Sequence, residues 1–267
     1  MEHDTENEIK PFANILITER DKDILRILNR LKISESNVLR LMISPETSQN
    51  TFTSRLLKLE EKWYIYPINP DRARNQHKIY GLSTDIYKFK EIEHMIWEKT
   101  EEWRYTHSHM YFYHTLYISY LLCYLIQRFR KKNPAYTFQV KDFVSQFAIQ
   151  RYTNMRDETV LIQSREKHMI PDGLLMYWDT HIWLEVERTN SNKQFKEKIR
   201  WYEEQSYYLN TQWFSDFFES NKKHTIVVMT PSWKIWAYKQ ILEEVKIEDI
   251  YGVNFVDEGT IIDSFQK

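Results

Sequence analysis

The chain opens with three segments of helical periodicity. The first has Thr18 as an N-cap and apolar residues at helical spacing, namely Ile24, Leu25, Leu28 and Leu31. A short second helix is predicted in the stretch ISESNVLRLM, with Ser34 as its cap. The third helix is predicted in SPETSQNTFTSRLLKLEEKWYI, and its buried stripe would be Phe52, Leu56, Leu59 and Trp63.

Two strand-like segments follow the helices. WYIYPI and IYGLS flank the polar stretch NPDRARNQHK, which is the pattern of a β-hairpin with a long tip. Three short helices followed by a hairpin are typical of a winged helix-turn-helix domain. We therefore predict such a domain over residues 15–83, joined to the rest of the chain by a connecting helix at residues 84–106.

Residues 107–267 have the pattern of a sheet domain. A long apolar helix runs through HTLYISYLLCYLIQRFRKK and ends before Pro134. YTFQVKDF and TVLIQS are strand candidates, and two further strands are joined at Asp179-Thr180. A helix, a strand, a helix and a last strand (NFVDEG) follow. The predicted fold class of this part is α+β or α/β.

Composition narrows the class of protein. Hydrophobic residues make up 42% of the 267 residues and aromatic residues 15%, which is enough for a large core. The four glycines form no phosphate-binding loop motif. The single Cys123 excludes an internal disulfide, and no apolar run reaches the length of a membrane span. The acidic, polar N-terminal residues are unlike a signal peptide, so we expect a cytoplasmic protein without a membrane partner.

Basic and polar side chains gather on the predicted third helix and hairpin tip. Between residues 47 and 82, six Lys or Arg residues stand against three acids, a net charge of +3 in a chain whose overall net charge is -1. Double-stranded DNA is therefore the expected partner. The residues predicted to contact it are Gln49, Asn50, Thr51, Thr53, Ser54, Arg55 and Lys58 on the helix and Arg72, Arg74 and Lys78 on the tip. A protein-interaction module is the alternative; a homodimer would suit a palindromic DNA site, but no dimer interface is evident in the sequence.

The segment IPDGLLMYWDTHIWLEVERTN carries carboxylates inside two apolar strands. Because side chains alternate along a strand, Glu185 and Glu187 share one face of the second strand. If the hairpin is symmetric about Asp179-Thr180, Asp172 lies opposite Glu187 and diagonally from Glu185. Three carboxylates at one end of a hairpin would repel one another without a cation. The alternative to a cation site is that these carboxylates lie on a solvent-exposed face of the sheet.

Oxygen ligands of this kind suit Mg²⁺ or Mn²⁺, and the expected metal ligands are Asp172 and Glu185, with Glu187 as a third acid. Such an ion activates water and polarises a phosphate for phosphodiester hydrolysis. Lys198 borders the apolar face of the following helix, which is set by Phe195, Ile199 and Tyr202. It can therefore reach the acids and stabilise charge on the phosphate. Lys196 lies on the other flank of that helix and is the weaker candidate.

The order Pro171-Asp172, then Glu185-Val186-Glu187, then a helix resembles the PD-(D/E)XK nuclease core. Glu187 replaces the lysine of that motif, and Lys198 would supply the displaced cation. With the preceding winged helix and the His-Thr-Leu helix start at His114, the segments PDGLLMY, WLEVERTN and FKEKIRWY resemble the replication-relaxation family of plasmids and mobile elements. This resemblance extends over most of the chain from about Thr18 onward. It implies a PD-(D/E)XK-like mixed sheet flanked by helices over residues 107–267.

Three functions remain open at the level of sequence. The first is a DNA-binding protein of plasmid or mobile-element replication or relaxation that cleaves DNA with catalytic residues Asp172, Glu185, Glu187 and Lys198. The second is a non-enzymatic DNA-binding regulator or replication factor, in which the nuclease-like domain serves dimerisation or partner docking. The third is an interaction protein that does not bind DNA. His114 is expected to border the acidic residues because its helix leads into the sheet domain.

Overall fold

The computed structural model describes residues 16–68, 77–100, 109–146, 148–149, 171–188, 191–206, 223–245, 247 and 251–266. Within these ranges the fold is α+β. A small antiparallel sheet accompanies the N-terminal helices, and a five-stranded mixed sheet has helices on both faces. None of the described helices combines the length and the apolar character needed to cross a lipid bilayer.

The N-terminal unit has the element order that the sequence predicts, with one additional strand. Its elements are α1 (Glu19–Leu31), β1 (Ile33–Glu35), α2 (Ser36–Ile43), α3 (Gln49–Glu61), β2 (Ile65–Pro67) and β3 (Ile79–Leu82). The three strands pair antiparallel in the order β1-β3-β2. The Thr18 cap of α1 is confirmed: its hydroxyl accepts from the Asp21 amide at 3.3 Å, and its own amide donates to the Asp21 carboxylate at 2.6 Å.

Two details of the N-terminal prediction are wrong. Ser34 does not cap α2; it lies in β1, pairs with Tyr80, and its hydroxyl hydrogen-bonds Ser119 at 2.8 Å. Trp63 does not continue the buried stripe of α3, because the helix ends at Glu61 and Trp63 takes a left-handed backbone with a φ of 60°. The Trp63 side chain is consequently 73% exposed.

Two further helices lead to the larger sheet. The predicted connecting helix begins as α4 (Ile86–Ile96), capped by Asp85, and ends where Trp97 takes a left-handed conformation. The long helix α5 (His109–Lys132) packs on the N-terminal unit, and its Tyr120 hydroxyl donates to Glu35 at 2.5 Å. Cys123 is buried in this contact, where its thiol lies 3.8 Å from the backbone oxygen of Val38. One hydrophobic core therefore extends from α1 through α5 to one face of the mixed sheet.

The mixed sheet has the strand order β4-β5-β6-β7-β8. Its strands are β4 (Phe143–Ser145), β5 (Gly173–Tyr177), β6 (Thr180–Val186), β7 (Lys223–Thr230) and β8 (Gly252–Asp257). The pairs β4-β5 and β5-β6 are antiparallel, whereas β6-β7 and β7-β8 are parallel. The strand predicted in YTFQVKDF begins only at Phe143, after a 3₁₀ turn, and TVLIQS lies outside the described residues.

Helices cover the two faces of this sheet differently. One face meets α5 and α8 (Glu258–Gln266), a helix that the sequence pattern did not indicate. The other face carries Leu174, Trp183 and Val228, which pack against α6 (Asn192–Ser206) and α7 (Ser232–Val245). Since side chains alternate along a strand, Glu185 lies on the same face as Trp183 and is directed toward α6.

Candidate acidic site

The hairpin of β5 and β6 turns at Trp178 and Asp179, one residue earlier than predicted. Tyr177 pairs with Thr180 and Gly173 with Leu184, so the hairpin is not symmetric about Asp179-Thr180. Trp178 makes this tight turn in a left-handed conformation with a φ of 51°. The register differs from the prediction by two residues, which leaves every side chain on its predicted face. Extended by one residue before β5, this register brings Asp172 to Glu185 and not to Glu187.

Asp172 joins three elements at this end of the sheet. Its side chain is buried, and one carboxylate oxygen accepts from the backbone amide of Val186 at 2.8 Å. The other oxygen lies 3.0 Å from Nε2 of His114, in the first turns of α5. The expectation that His114 borders the acidic residues is therefore confirmed.

Glu185 and Glu187 are buried and share one cation. Nζ of Lys198 donates to a carboxylate oxygen of Glu185 and to Oε1 of Glu187, the latter at 2.7 Å. Tyr202 lies one turn further along α6 and donates its hydroxyl to the second oxygen of Glu185 at 2.5 Å. We call Asp172, Glu185 and Glu187, together with Lys198, Tyr202 and His114, the acidic site.

All of these residues except Tyr202 were predicted from the sequence to form or border a site. Tyr202 was placed only on the apolar face of the helix. Its spacing of four residues from Lys198 puts both side chains on the same side of α6, and that spacing could have identified it. Lys196, the weaker candidate, pairs instead with Glu244 on α7.

Burial dominates the electrostatics of the acidic site. Burial raises the pKa of Glu185 to about 8, and the neighbouring charges of Asp172 and Glu187 act in the same direction against the attraction of Lys198. For Asp172, burial acts to raise the pKa, but the charges of His114 and Lys198 prevail and lower it. For Lys198, burial acts to lower the pKa, but the three carboxylates prevail and hold it well above its ordinary value. Burial acts to lower the pKa of His114 as well, and Asp172 prevails and raises it.

The site holds more negative than positive charge. With all three carboxylates ionised, one permanent cation, Lys198, leaves a net charge of -2, or -1 when His114 is protonated. The raised pKa of Glu185 reduces this surplus by one below about pH 8, because Glu185 then holds a proton. A buried surplus of this kind attracts an additional cation. Carboxylate oxygens are the ligands that Mg²⁺ and Mn²⁺ prefer.

The residues present fit such an ion through a pair of ligands. No group of three or more His, Cys, Asp or Glu side chains forms a ready metal site in the part of the chain that the structure describes. Mg²⁺, however, is commonly held by one or two carboxylates, with water and substrate phosphate completing its shell. Asp172, just before β5, and Glu185, on β6, are the residues that would hold it.

The predicted DNA-contacting residues of α3 divide into two groups. Asn50, Thr51, Ser54 and Lys58 are exposed. Gln49 and Thr53 are half-buried, and Gln49 accepts from Arg40 at 2.9 Å and donates to Thr53 at 3.2 Å. Lys78, before β3, is exposed and lies 3.4 Å from Glu60. Arg72 and Arg74 lie outside the described residues.

Arg55 has a defined partner within the protein. Its Nε donates to the buried carboxylate of Asp21 at 2.6 Å, one terminal nitrogen donates to the same carboxylate, and that nitrogen also donates to the backbone oxygen of Leu16 at 2.7 Å. Asp21 completes the cap of α1 at the same time. Arg55 thus ties α3 to the start of α1, whatever contact it makes with DNA.

Comparison with known proteins places the chain in a family. The family model described as replication-relaxation matches residues 25–215, which include most of the N-terminal unit, α5, the β5-β6 hairpin and α6. No curated protein and no solved structure matches the chain. The match covers more than half of the 267 residues. The chain therefore belongs to the replication-relaxation family.

Proposed function

We propose that this protein binds double-stranded DNA through its N-terminal unit and acts in the replication or relaxation of a plasmid or mobile element. We further propose that the acidic site cleaves a DNA phosphodiester with Mg²⁺ or Mn²⁺. Family membership supports the first part of this proposal. The observation that carries the second part is the buried cluster of three carboxylates around Lys198 at one end of the mixed sheet.

The residues of the acidic site have distinct roles in this proposal, in which Glu187 is the third acid and holds Lys198 in place. Asp172 and Glu185 would hold the metal ion, which would supply an activated water and polarise the phosphate. Lys198 already lies among the carboxylates and would stabilise the charge that builds on the phosphate. Tyr202 fixes the orientation of Glu185 through its hydroxyl, and His114 fixes that of Asp172. Arrangements of this kind support the PD-(D/E)XK-like interpretation of the sheet.

The DNA-binding part of the proposal rests on the N-terminal unit. Its three helices and antiparallel sheet have the element order of a winged helix-turn-helix. The exposed face of α3 presents Asn50, Thr51, Ser54 and Lys58, side chains of the kinds that contact base edges and phosphates. Lys78 extends the positive charge toward the hairpin.

A second candidate is a DNA-binding regulator or replication factor without catalysis. One observation favours it: the carboxylates of the acidic site already have donors from the protein, because Lys198 binds Glu185 and Glu187 and Tyr202 binds Glu185. Such a cluster can serve as a rigid element that joins α6 to the sheet. In that case the larger sheet domain would serve dimerisation or the docking of a partner protein.

Titration of Mn²⁺ separates the two candidates. We would titrate metal-free wild type and Asp172→Asn calorimetrically and then incubate both with supercoiled plasmid and Mn²⁺. Asp179→Asn is the matched control, because Asp179 is an exposed carboxylate in the turn of the same hairpin. Metal binding and nicking by wild type and the control, with loss of both in Asp172→Asn, support the nuclease. Neither binding nor nicking by wild type would leave the regulator as the function.

A further inference from the structure

A cavity of about 320 Å³ lies where the N-terminal helices meet the mixed sheet. Its walls are the last turn of α1, the residues just after α4 and the segment that leads into β4. Arg30 ties these walls together, because its guanidinium donates to both carboxylate oxygens of Glu98 and to the backbone oxygens of Val140 and Phe143, at 2.6 Å and 2.5 Å. We call this cavity the junction pocket.

The lining of the junction pocket is positively charged. Arg30 and Glu98 neutralise each other in an ion pair of 2.6 Å. Among the described residues of the lining, Lys99 and Lys141 are exposed lysines, whereas Lys32 is buried. Exposed lysines beside a concave surface favour an anionic ligand, since each lysine binds a phosphate or carboxylate as a point charge.

Asn29 adds a buried acceptor to this lining. Its Nδ2 donates to the backbone oxygen of Lys99 at 3.1 Å. Its Oδ1 has no hydrogen-bond donor among the residues that the structure describes, and the side chain is only 6% exposed. Buried acceptors in folded proteins nearly always have a donor. The ligand that suits the pocket therefore carries a hydrogen-bond donor in addition to its negative charge.

We propose that the junction pocket binds a nucleotide through its phosphate, with the lysines around the phosphate and Asn29 accepting from a base amino group or a sugar hydroxyl. The pocket volume is at the lower end of the range for small-molecule sites, about 300–1,000 Å³, which suits a single nucleotide. A free mononucleotide and the terminal nucleotide of a DNA strand offer the same chemistry. The proposal does not depend on cleavage at the acidic site.

The position of the junction pocket would bring this ligand close to the acidic site. Ser145, which lines the pocket, pairs with Gly173 across β4 and β5, and Asp172 is the residue before Gly173. The pocket and the acidic site therefore lie at the same end of the sheet. A nucleotide held in the pocket would sit close to DNA that occupies the acidic site.

Calorimetry on the full chain in EDTA tests the proposal, because chelation removes metal-dependent binding at the acidic site. The probes are 5′-dAMP, deoxyadenosine, and a blunt DNA hairpin with and without a 5′-phosphate. We expect 5′-dAMP to bind, deoxyadenosine to bind at least tenfold more weakly, and Lys99→Gln with Lys141→Gln to weaken 5′-dAMP at least tenfold. The matched control, Lys90→Gln with Lys132→Gln, changes two exposed lysines elsewhere and should bind as wild type does.

Asn29→Ala adds a second readout that surface charge does not influence. It should weaken 5′-dAMP and leave inorganic phosphate unchanged, because only the nucleotide has a donor for Oδ1. If wild type binds 5′-dAMP more tightly than either hairpin, a free nucleotide is the ligand. If it binds the 5′-phosphorylated hairpin more tightly than the unphosphorylated one, the ligand is a DNA end. Failure of both to bind wild type, or equal binding by the Lys99 and Lys141 variant, overturns the proposal.

Discussion

Buried carboxylates occur in two regions of this molecule, and the protein neutralises them in different ways. In the N-terminal unit, Asp21 is fully buried and receives one guanidinium, from Arg55, together with the cap hydrogen bonds of Thr18. In the acidic site, two buried carboxylates, Glu185 and Glu187, share one lysine, and the third, Asp172, contacts His114 and the Val186 amide. Burial of a charge is unfavourable unless it is paired, so the first arrangement is explained by stability alone.

The pKa values of Asp21 and Glu185 shift in opposite directions. Burial acts to raise the pKa of Asp21, but the hydrogen bonds of Arg55 and Thr18 prevail and lower it. Burial raises the pKa of Glu185 to about 8, because Lys198 does not offset both burial and the neighbouring acids. A surplus of buried charge makes no contribution to stability. The comparison therefore indicates that pairing explains the N-terminal carboxylate, whereas the acidic site keeps carboxylates that its one lysine does not fully neutralise.

Removal of Lys198 should have the largest effect on stability. Lys198→Met leaves two adjacent buried carboxylates without their ammonium group, and breaking a buried ion pair from one side costs about 3–5 kcal/mol. Urea unfolding of the metal-free protein measures this loss. Lys196→Met is the matched control on the same helix, and it should change the free energy of unfolding by no more than about 0.5 kcal/mol. Equal stability of the two variants would contradict the charge surplus at the acidic site.

Removal of Arg55 should have a somewhat smaller effect. Arg55→Met leaves Asp21 buried with only the Thr18 cap, and we expect a loss of about 2–3 kcal/mol, below the value for a fully buried pair because Arg55 is partly exposed. Lys58→Met, an exposed position on the same helix, is the control. If both variants unfold at the same urea concentration, the ion pair that links α3 to α1 contributes nothing to the free energy of unfolding. A loss confined to Arg55→Met would show that reduced DNA binding by this variant is partly an effect on folding.

The pH dependence of stability should separate the two regions by its sign. The folded state binds a proton at Glu185 more tightly than the unfolded chain, whose pKa is near 4.5, so this group makes stability fall as the pH rises from 4.5 toward 8. The pKa of Asp21 is lowered from 3.8, so its contribution is complete above that pH and is lost as the pH falls below it. Relative to Glu185→Gln, wild type in EDTA should lose no more than about 1.4 kcal/mol per pH unit between pH 4.5 and 8. A constant difference across that range would contradict the raised pKa.

Local sequence pattern was sufficient to predict most helices of the N-terminal unit and the position of Lys198. The Thr18 cap and the apolar stripe of α1 are local features, and the helical period places Lys198 beside the apolar face of α6. The three-residue strand β1 was missed because it is recognisable only through its partner β3, which comes more than 40 residues later. Helical periodicity continues across it and obscures it.

The Arg55–Asp21 ion pair and the register of the β5-β6 hairpin depend on long-range packing, which local sequence pattern does not encode. Arg55 meets Asp21 across 34 residues of sequence, and a predicted DNA contact thereby became part of a buried ion pair. The hairpin register was misjudged because Trp178 takes a left-handed conformation that is uncommon for a large side chain. The alternation of side chains was unaffected, and for that reason the acids were placed on the correct face despite the wrong partner.

The smallest expected effect concerns the exposed charges of the N-terminal unit, which should influence DNA binding and not stability. Lys58→Ala with Lys78→Ala removes two exposed cations, and each lost phosphate contact should lower the slope of log affinity against log salt by about 0.9. Fluorescence anisotropy of a labelled duplex over a range of salt concentrations measures this slope. Lys239→Ala, an exposed lysine on α7, should leave it unchanged. An unchanged slope in the double variant would place the DNA-binding surface elsewhere, while the pairing of Asp21 with Arg55 would keep its structural explanation.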